Sequence, residues 1–216
     1  MGLILSNSDR AFLKDRITES EKQTRAQIVL ATVKRSDSYP ELPWKAFAFG
    51  ASVAGFTLFL LDLLFLRWVS DAMILFSFAG ILVTGAFFAL LTILIPSFAR
   101  LFLSVHRKET ETRQYAESLF LSHEVFASED RNGILLFVSQ FERQVVIFPD
   151  KGIRNDFSLK VMKNIISKMK LALQRKELKN AMNTGLEEIV ATLTPPVSAC
   201  RDKNELSNEI IMEGGA

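Results

Sequence analysis

Residues 46–66 read AFAFGASVAGFTLFLLDLLFL and residues 72–95 read AMILFSFAGILVTGAFFALLTILI. Asp62 is the only formally charged residue in the first stretch, and the second has none. Each run is about twenty residues or slightly more, which at ~1.5 Å per residue spans a hydrocarbon core of roughly 30 Å. The alternative for an apolar helix is a buried core, but a chain of 216 residues has no second core large enough to cover two such helices all round. Between them lies Arg67-Trp68-Val69-Ser70-Asp71, so short that the helices must be antiparallel neighbours. These stretches predict a two-helix transmembrane hairpin within residues 44–96, with the lipid bilayer as its partner.

The flanks of the hairpin orient it. Lys34, Arg35 and Lys45 precede the first span and Arg100, Arg107 and Lys108 follow the second, whereas the connecting loop holds Arg67 alone. Basic residues stay on the cytoplasmic side, so both soluble parts and both termini are expected there. Trp44 and Trp68 fall at opposite ends of the first span, where interfacial aromatics belong. No basic region precedes the short apolar start of the chain, so targeting is expected to come from the spans rather than from a cleaved signal. Net charge is +2 with acidic and basic residues interleaved, which argues against a nucleic-acid partner. The single cysteine, Cys200, excludes an intrachain disulfide and a cysteine-built zinc site.

Outside the hairpin the pattern is that of a water-soluble α/β domain, a small mixed sheet covered by helices. Its expected parts are residues 1–43 and 97–196, followed by a disordered tail over 197–216 that lacks apolar periodicity. Ser6 to Arg25 reads as a surface helix with Phe12, Leu13 and Ile17 near one face. Ala26 to Val33 is a β-branched, nearly continuous apolar run, which suits a strand buried on both faces of a partly parallel sheet. Pro40 and Pro43 are expected to bar a regular helix between residues 34 and 43. After a basic, amphipathic collar from Phe98 to Val105, residues 108–126 place Tyr115, Ala116, Leu119, Phe120, His123 and Phe126 at helical spacing. In the turn that follows, Asn132-Gly133 favours positive φ. Ile134 to Ser139 and Gln144 to Phe148 form a hairpin of strands. Phe157 to Leu173 and Leu178 to Leu193 are amphipathic helices that cover the sheet.

The run from Asp130 to Ile153, DRNGILLFVSQFERQVVIFPDKGI, resembles the TPM domain family: a polar turn ending in Gly, an apolar strand, Arg143 opening the next strand, then Asp150-Lys151-Gly152-Ile153. Glu21 to Leu30 is similar to that family's junction between a helix and the first strand, and Gly185-Leu186 with Ile189 fits its last helix. The resemblance covers about residues 8–33 and 109–196. It implies a compact α/β fold whose two middle strands run parallel, with the hairpin inserted in the crossover between them and anchored in a bacterial inner membrane. Members of the family have been described as acid phosphatases, as binders of divalent cations, or as assembly and auxiliary proteins without chemistry. The family's pocket uses the loop after the first strand, which here leads into the first span as residues 34–41.

Glu129 and Asp130 before the second strand, Asp150 after the third and Asp37 after the first form the strongest acidic group. Oxygen donors from several loops would suit Ca²⁺ or Mg²⁺, which need multiple hard ligands; equally, Asp and Asn in turns serve local hydrogen bonds. His106 and His123 are the only histidines, and neither is flanked by a partner that would make it a base. No GxGxxG, Walker loop, GxSxG or HExxH occurs. Asp62, about a turn from the far interface, is placed to reach headgroup level or to pair with Arg67. Gly50, Gly55, Gly80 and Gly85 offer small surfaces for close helix packing within the hairpin or between copies. The expectation is a membrane-tethered TPM-like domain that acts as a noncatalytic binding, assembly or auxiliary module for a membrane protein. A divalent-metal-dependent phosphatase is the alternative; a homo-oligomer remains open and a channel is disfavoured by the scarcity of polar lining.

Overall fold

The computed structural model describes residues 5–24, 26–65, 71–128, 130–175, 177–193 and 210–213. The chain forms two compact units, one from Met1–Asp37 with Lys108–Ala216 and one from Ser38–Arg107.

The first unit is a mixed α/β domain built on a four-stranded sheet of order β3-β2-β1-β4. Its strands are β1 (Gln27–Val33), β2 (Gly133–Ser139), β3 (Gln144–Pro149) and β4 (Ile211–Glu213). β1 runs parallel to β2 from Gln27↔Gly133 to Val33↔Ser139, and β3 returns antiparallel to β2. The alternation of side chains along a strand divides the core in two. On one face Ile28, Leu30, Ile134, Leu136 and Val138 meet the apolar sides of three helices, α1 (Asn7–Thr24), α6 (Leu159–Gln174) and α7 (Leu178–Leu193). On the other, Val29, Ala31, Leu135 and Phe137 meet Ala116, Leu119 and Phe120 of α5 (Val105–Ser122). Every residue of β1 and β2 is buried, as the unbroken apolar runs require.

Local chemistry closes these elements. Ser6 caps α1, its hydroxyl accepting from the Asp9 amide at 3.1 Å. Ser158 caps α6 in the same way, accepting from the Val161 amide. Leu136 and Met169 crowd Gly185 of α7 so closely that a Cβ there would lie 2.7 Å from Leu136 Cδ2.

Three local expectations are corrected. The helix predicted to reach Phe126 ends at Ser122, where Glu124 turns left-handed at φ 49° and a 3-10 turn, Val125–Ala127, follows; His123 consequently lies exposed beyond the helix. Positive φ in the next turn belongs to Arg131 at 53°, not to Asn132-Gly133. Gly133 is required for space instead, because any Cβ would strike the Val125 carbonyl. The tail expected to be disordered supplies β4, which pairs in parallel with the free edge of β1 at Ala31↔Ile211. Two apolar residues, Ile211 and Met212, followed by Glu213 are too few for a periodic signal, and pairing with the edge of β1 makes them a strand. The rest of the tail, residues 194–209 and 214–216, lies outside the described residues.

The second unit holds α2 (Glu41–Phe65) and α3 (Asp71–Leu94), followed by α4 (Pro96–Ala99) and a 3-10 turn, Arg100–Phe102. Helix α2 starts earlier than the prolines were expected to allow. Pro43 falls in its first turn, where an amide has no intrahelical partner to lose. The helices are antiparallel: Gly50 of α2 faces Phe88, Gly55 faces Ile81, and Gly85 of α3 receives Phe47. Gly80 has nothing within 4 Å of where its Cβ would be. Of the four glycines, Gly50 and Gly85 are therefore the ones that seat a ring of the opposing helix. Both helices are long and apolar enough to cross a membrane, and only 6% of the most apolar stretch of each is buried. The connecting residues 66–70, with Arg67 and Trp68, lie outside the described residues.

Candidate functional site

The register of β1 and β2 gives the sheet two chemically different ends. At the amino ends of these strands, Arg131 and Asp150 pair across the turns that flank β2 and β3. Arg131 Nε lies 2.8 Å from Asp150 Oδ2, and Nη2 donates to Oδ1 at 3.1 Å. The Lys151 amide also donates to Oδ1, at 2.7 Å. Asp150 is 4% exposed, so this guanidinium offsets the desolvation of a buried carboxylate. Backbone bonds tie the same turns together, Asp150 N to Gly133 O at 2.8 Å and Gly152 N to Arg131 O at 2.8 Å. The Arg131 guanidinium also rests 5.6 Å from the centre of the Phe126 ring. Asp150 is thus bound into a local strut.

At the carboxyl ends, the four-residue turn Gln140–Arg143 folds back onto the segment after β1. Gln140 and Phe141 donate their amides to the carbonyls of Val33 and Lys34 at 3.1 and 3.0 Å. Glu142, 2% exposed, accepts from the Ser36 amide at 2.9 Å through Oε1 and from the Ser139 hydroxyl through Oε2. The Ser36 hydroxyl donates to Ser139 Oγ at 2.9 Å. The Arg35 guanidinium lies 4.4 Å from the centre of the Phe141 ring. This end is where open α/β sheets hold ligands in general. Here its serine and carboxylate are satisfied by one another, and Ser139 is fully buried, so its hydroxyl is a bridge rather than an accessible nucleophile.

The four acidic residues expected to converge on one cation divide between these ends. Asp130 and Asp150 lie at the amino end of β2, whereas Asp37 follows the carboxyl end of β1. Six residue steps of strand, roughly 20 Å, separate the two levels. A single Ca²⁺ or Mg²⁺ with ligands at about 2.0–2.6 Å cannot join them. Asp130 is exposed, and Glu129 lies outside the described residues. Among the described residues no group of three or more His, Cys, Asp or Glu side chains stands close enough to hold a metal ion. His106 and His123 are both exposed, and Asp62 is exposed on α2. Sequence reasoning passed over Glu142 and Ser36 because a Gln-Phe-Glu-Arg turn between two strands reads as solvated. The signal available was Phe141, an apolar ring in a turn, which marks a turn that docks rather than one that faces water.

The TPM domain family model matches residues 94–192. That stretch lies after the apolar hairpin and contains α5, β2, β3, α6 and α7; α1 and β1 join it in space through the β1–β2 ladder. Among solved structures, the chain is similar to the NMR structure of the BA42 protein from the psychrophilic bacterium Bizionia argentinensis, with a TM-score of 0.56 at 15% identity. The likeness covers 97% of this chain and 96% of that one, and at such identity it concerns the fold. No curated protein matches the chain.

Proposed function

We propose that this chain, whose residues 94–192 match the TPM domain family model, is a membrane-tethered, noncatalytic binding or assembly module. The observation that carries the proposal is the insertion of α2 and α3 into the crossover between β1 and β2. A core helix would be largely covered by protein, yet only 6% of the most apolar stretch of either helix is buried, and Phe56, Leu63, Phe76 and Val83 are exposed along their lengths. Lipid tails are the solvent that makes such surfaces stable. Because a hairpin leaves and returns on one side, the crossover that the parallel β1–β2 pair demands is completed without threading the domain through the bilayer.

The distribution of Lys and Arg supports a cytoplasmic domain at a bacterial inner membrane. The engagement of Asp150 by Arg131, and of Glu142 by Ser36 and Ser139, supports a binding role, since these carboxylates already serve as struts. The partner in this reading is another membrane protein, held near the domain by the shared bilayer.

Three measurements test it. Carbonate washing of membranes leaves the protein in the pellet; recovery in the detergent-free supernatant sinks the tether. In a Cys200→Ser background, Ser70→Cys is labelled by an impermeant maleimide from outside intact cells, and labelling only after lysis reverses the orientation. The purified protein neither turns over an aryl phosphate with Ca²⁺ or Mg²⁺ nor gains melting temperature from them. Metal-dependent turnover that Asp150→Asn removes would establish the phosphatase reading instead.

A further inference from the structure

We propose that residues 96–107, together with the start of α2, form a collar that binds the headgroups of anionic phospholipids. The proposal rests on the tether and adds to it a preferred lipid. The chain leaves the α3 direction at Ile95, whose extended backbone (φ −120°, ψ 96°) precedes Pro96, and enters α4 and the 3-10 turn. Two rings fasten this segment to the hairpin. Phe98 lies 5.8 Å from Phe88 and 5.4 Å from Phe102, and Phe102 lies 5.8 Å from Phe49, ring centre to ring centre. With Phe98 and Phe102 turned inward, the other side of the segment presents Leu101 at 76% and Val105 at 62% exposure. Trp44, 73% exposed, stands one turn into α2, and Glu41 at the start of that helix pairs with Arg107 at 3.4 Å.

Exposed Leu101 and Val105 in one segment, and exposed Trp44 in the helix start that the Arg107–Glu41 pair joins to it, together with basic residues in both, are the composition of a surface half-sunk at the level of headgroups. Within residues 41–45 and 96–107 the sequence holds the cations Lys45, Arg100 and Arg107 and the carboxylate Glu41, a net charge of +2 (3 − 1). Long Lys and Arg stems lie along apolar surface while their charges reach outward. Charge complementarity then selects phosphatidylglycerol-type headgroups over zwitterionic ones.

The test uses the full-length protein with Trp68→Phe, which leaves Trp44 as its single tryptophan. It is reconstituted into bilayers of mixed phosphatidylcholine and phosphatidylglycerol in which one or the other lipid carries brominated acyl chains. Brominated phosphatidylglycerol is expected to quench Trp44 beyond its mole fraction, corresponding to a relative binding constant of about three to ten. In Lys45→Gln/Arg100→Gln that constant falls toward one, while brominated phosphatidylcholine still quenches. Equal quenching by both lipids in the parent protein overturns the headgroup preference and leaves the tether standing. Quenching by neither overturns the preference and the tether together.

Discussion

Asp150 and Asp9 carry the clearest consequences at the scale of single residues. Asp150 is almost fully buried and Arg131 is about half exposed, so the two ends of their pair differ in what their loss costs. Asp150→Ala leaves the partly solvated Arg131 guanidinium and the Lys151 amide without their acceptor, whereas Arg131→Ala leaves a buried charge with only the Lys151 amide to meet it. We expect Arg131→Ala to destabilise the domain by about 2–4 kcal/mol and Asp150→Ala by about 1–3 kcal/mol in urea titrations of detergent-solubilised protein. Equal and negligible costs would mean that the pair is not a strut. Asp9 lies in the first turn of α1. The Ser6 hydroxyl at 2.7 Å, then the Ser6 amide at 3.1 Å and Lys179, hold its carboxyl below the usual aspartate range. A depressed folded-state value means that the contribution is present above the ordinary aspartate pKa and is lost as pH falls through the lowered one. An NMR titration should place the Asp9 midpoint below that of a peptide aspartate, and Ser6→Ala should move it back up.

Strands and helices show how far local pattern reaches. The apolar runs predict β1, β2, β3, α6 and α7 within a residue or two, because each element's side chains repeat with the period of its own backbone. β4 carries no such signal and exists through its partner. Gln27 donates its amide toward Asn132 on the β2 side, while Ile28, of opposite parity, donates to the Glu21 carboxylate on the other edge at 2.9 Å. Thr32 shares the parity of Ile28 and is paired with Met212. Removing residues 210–216 should therefore speed hydrogen exchange at the Thr32 amide and leave Ala31, which faces β2, protected; unchanged exchange at Thr32 would argue that β4 adds nothing to that edge. In the hairpin, a side chain at Gly85 would collide with Phe47, whereas one at Gly80 would meet open space. Gly85→Leu should lower the melting temperature in detergent by several degrees, consistent with an overpacking cost of about 1–3 kcal/mol. Gly80→Leu should leave it unchanged unless copies associate through that face.

The whole molecule consists of a mixed α/β unit with cores on both faces of its sheet and an apolar unit spliced into one crossover. Since α1, α5, α6 and α7 supply the cover for both sheet faces, replacing residues 38–107 by a flexible Gly-Ser linker should yield a protein that is soluble without detergent and unfolds in one cooperative transition. Aggregation, or loss of the β-sheet signal in circular dichroism, would show that the hairpin is needed for the fold and not only for its location. Amino-acid order alone determined the two lipid-length helices, the identity of most other elements and the parallel pairing implied by the family resemblance. These depend on hydropathy and period, which are written in neighbouring residues. Register, the closing of the β1 edge by a distant tail and the burial of Glu142 in a turn belong to tertiary structure. They arise where segments a hundred residues apart meet: the same ladder that aligns Val33 with Ser139 sets Asp37 at the opposite end of the sheet from Asp150, a separation that no reading along the chain contains.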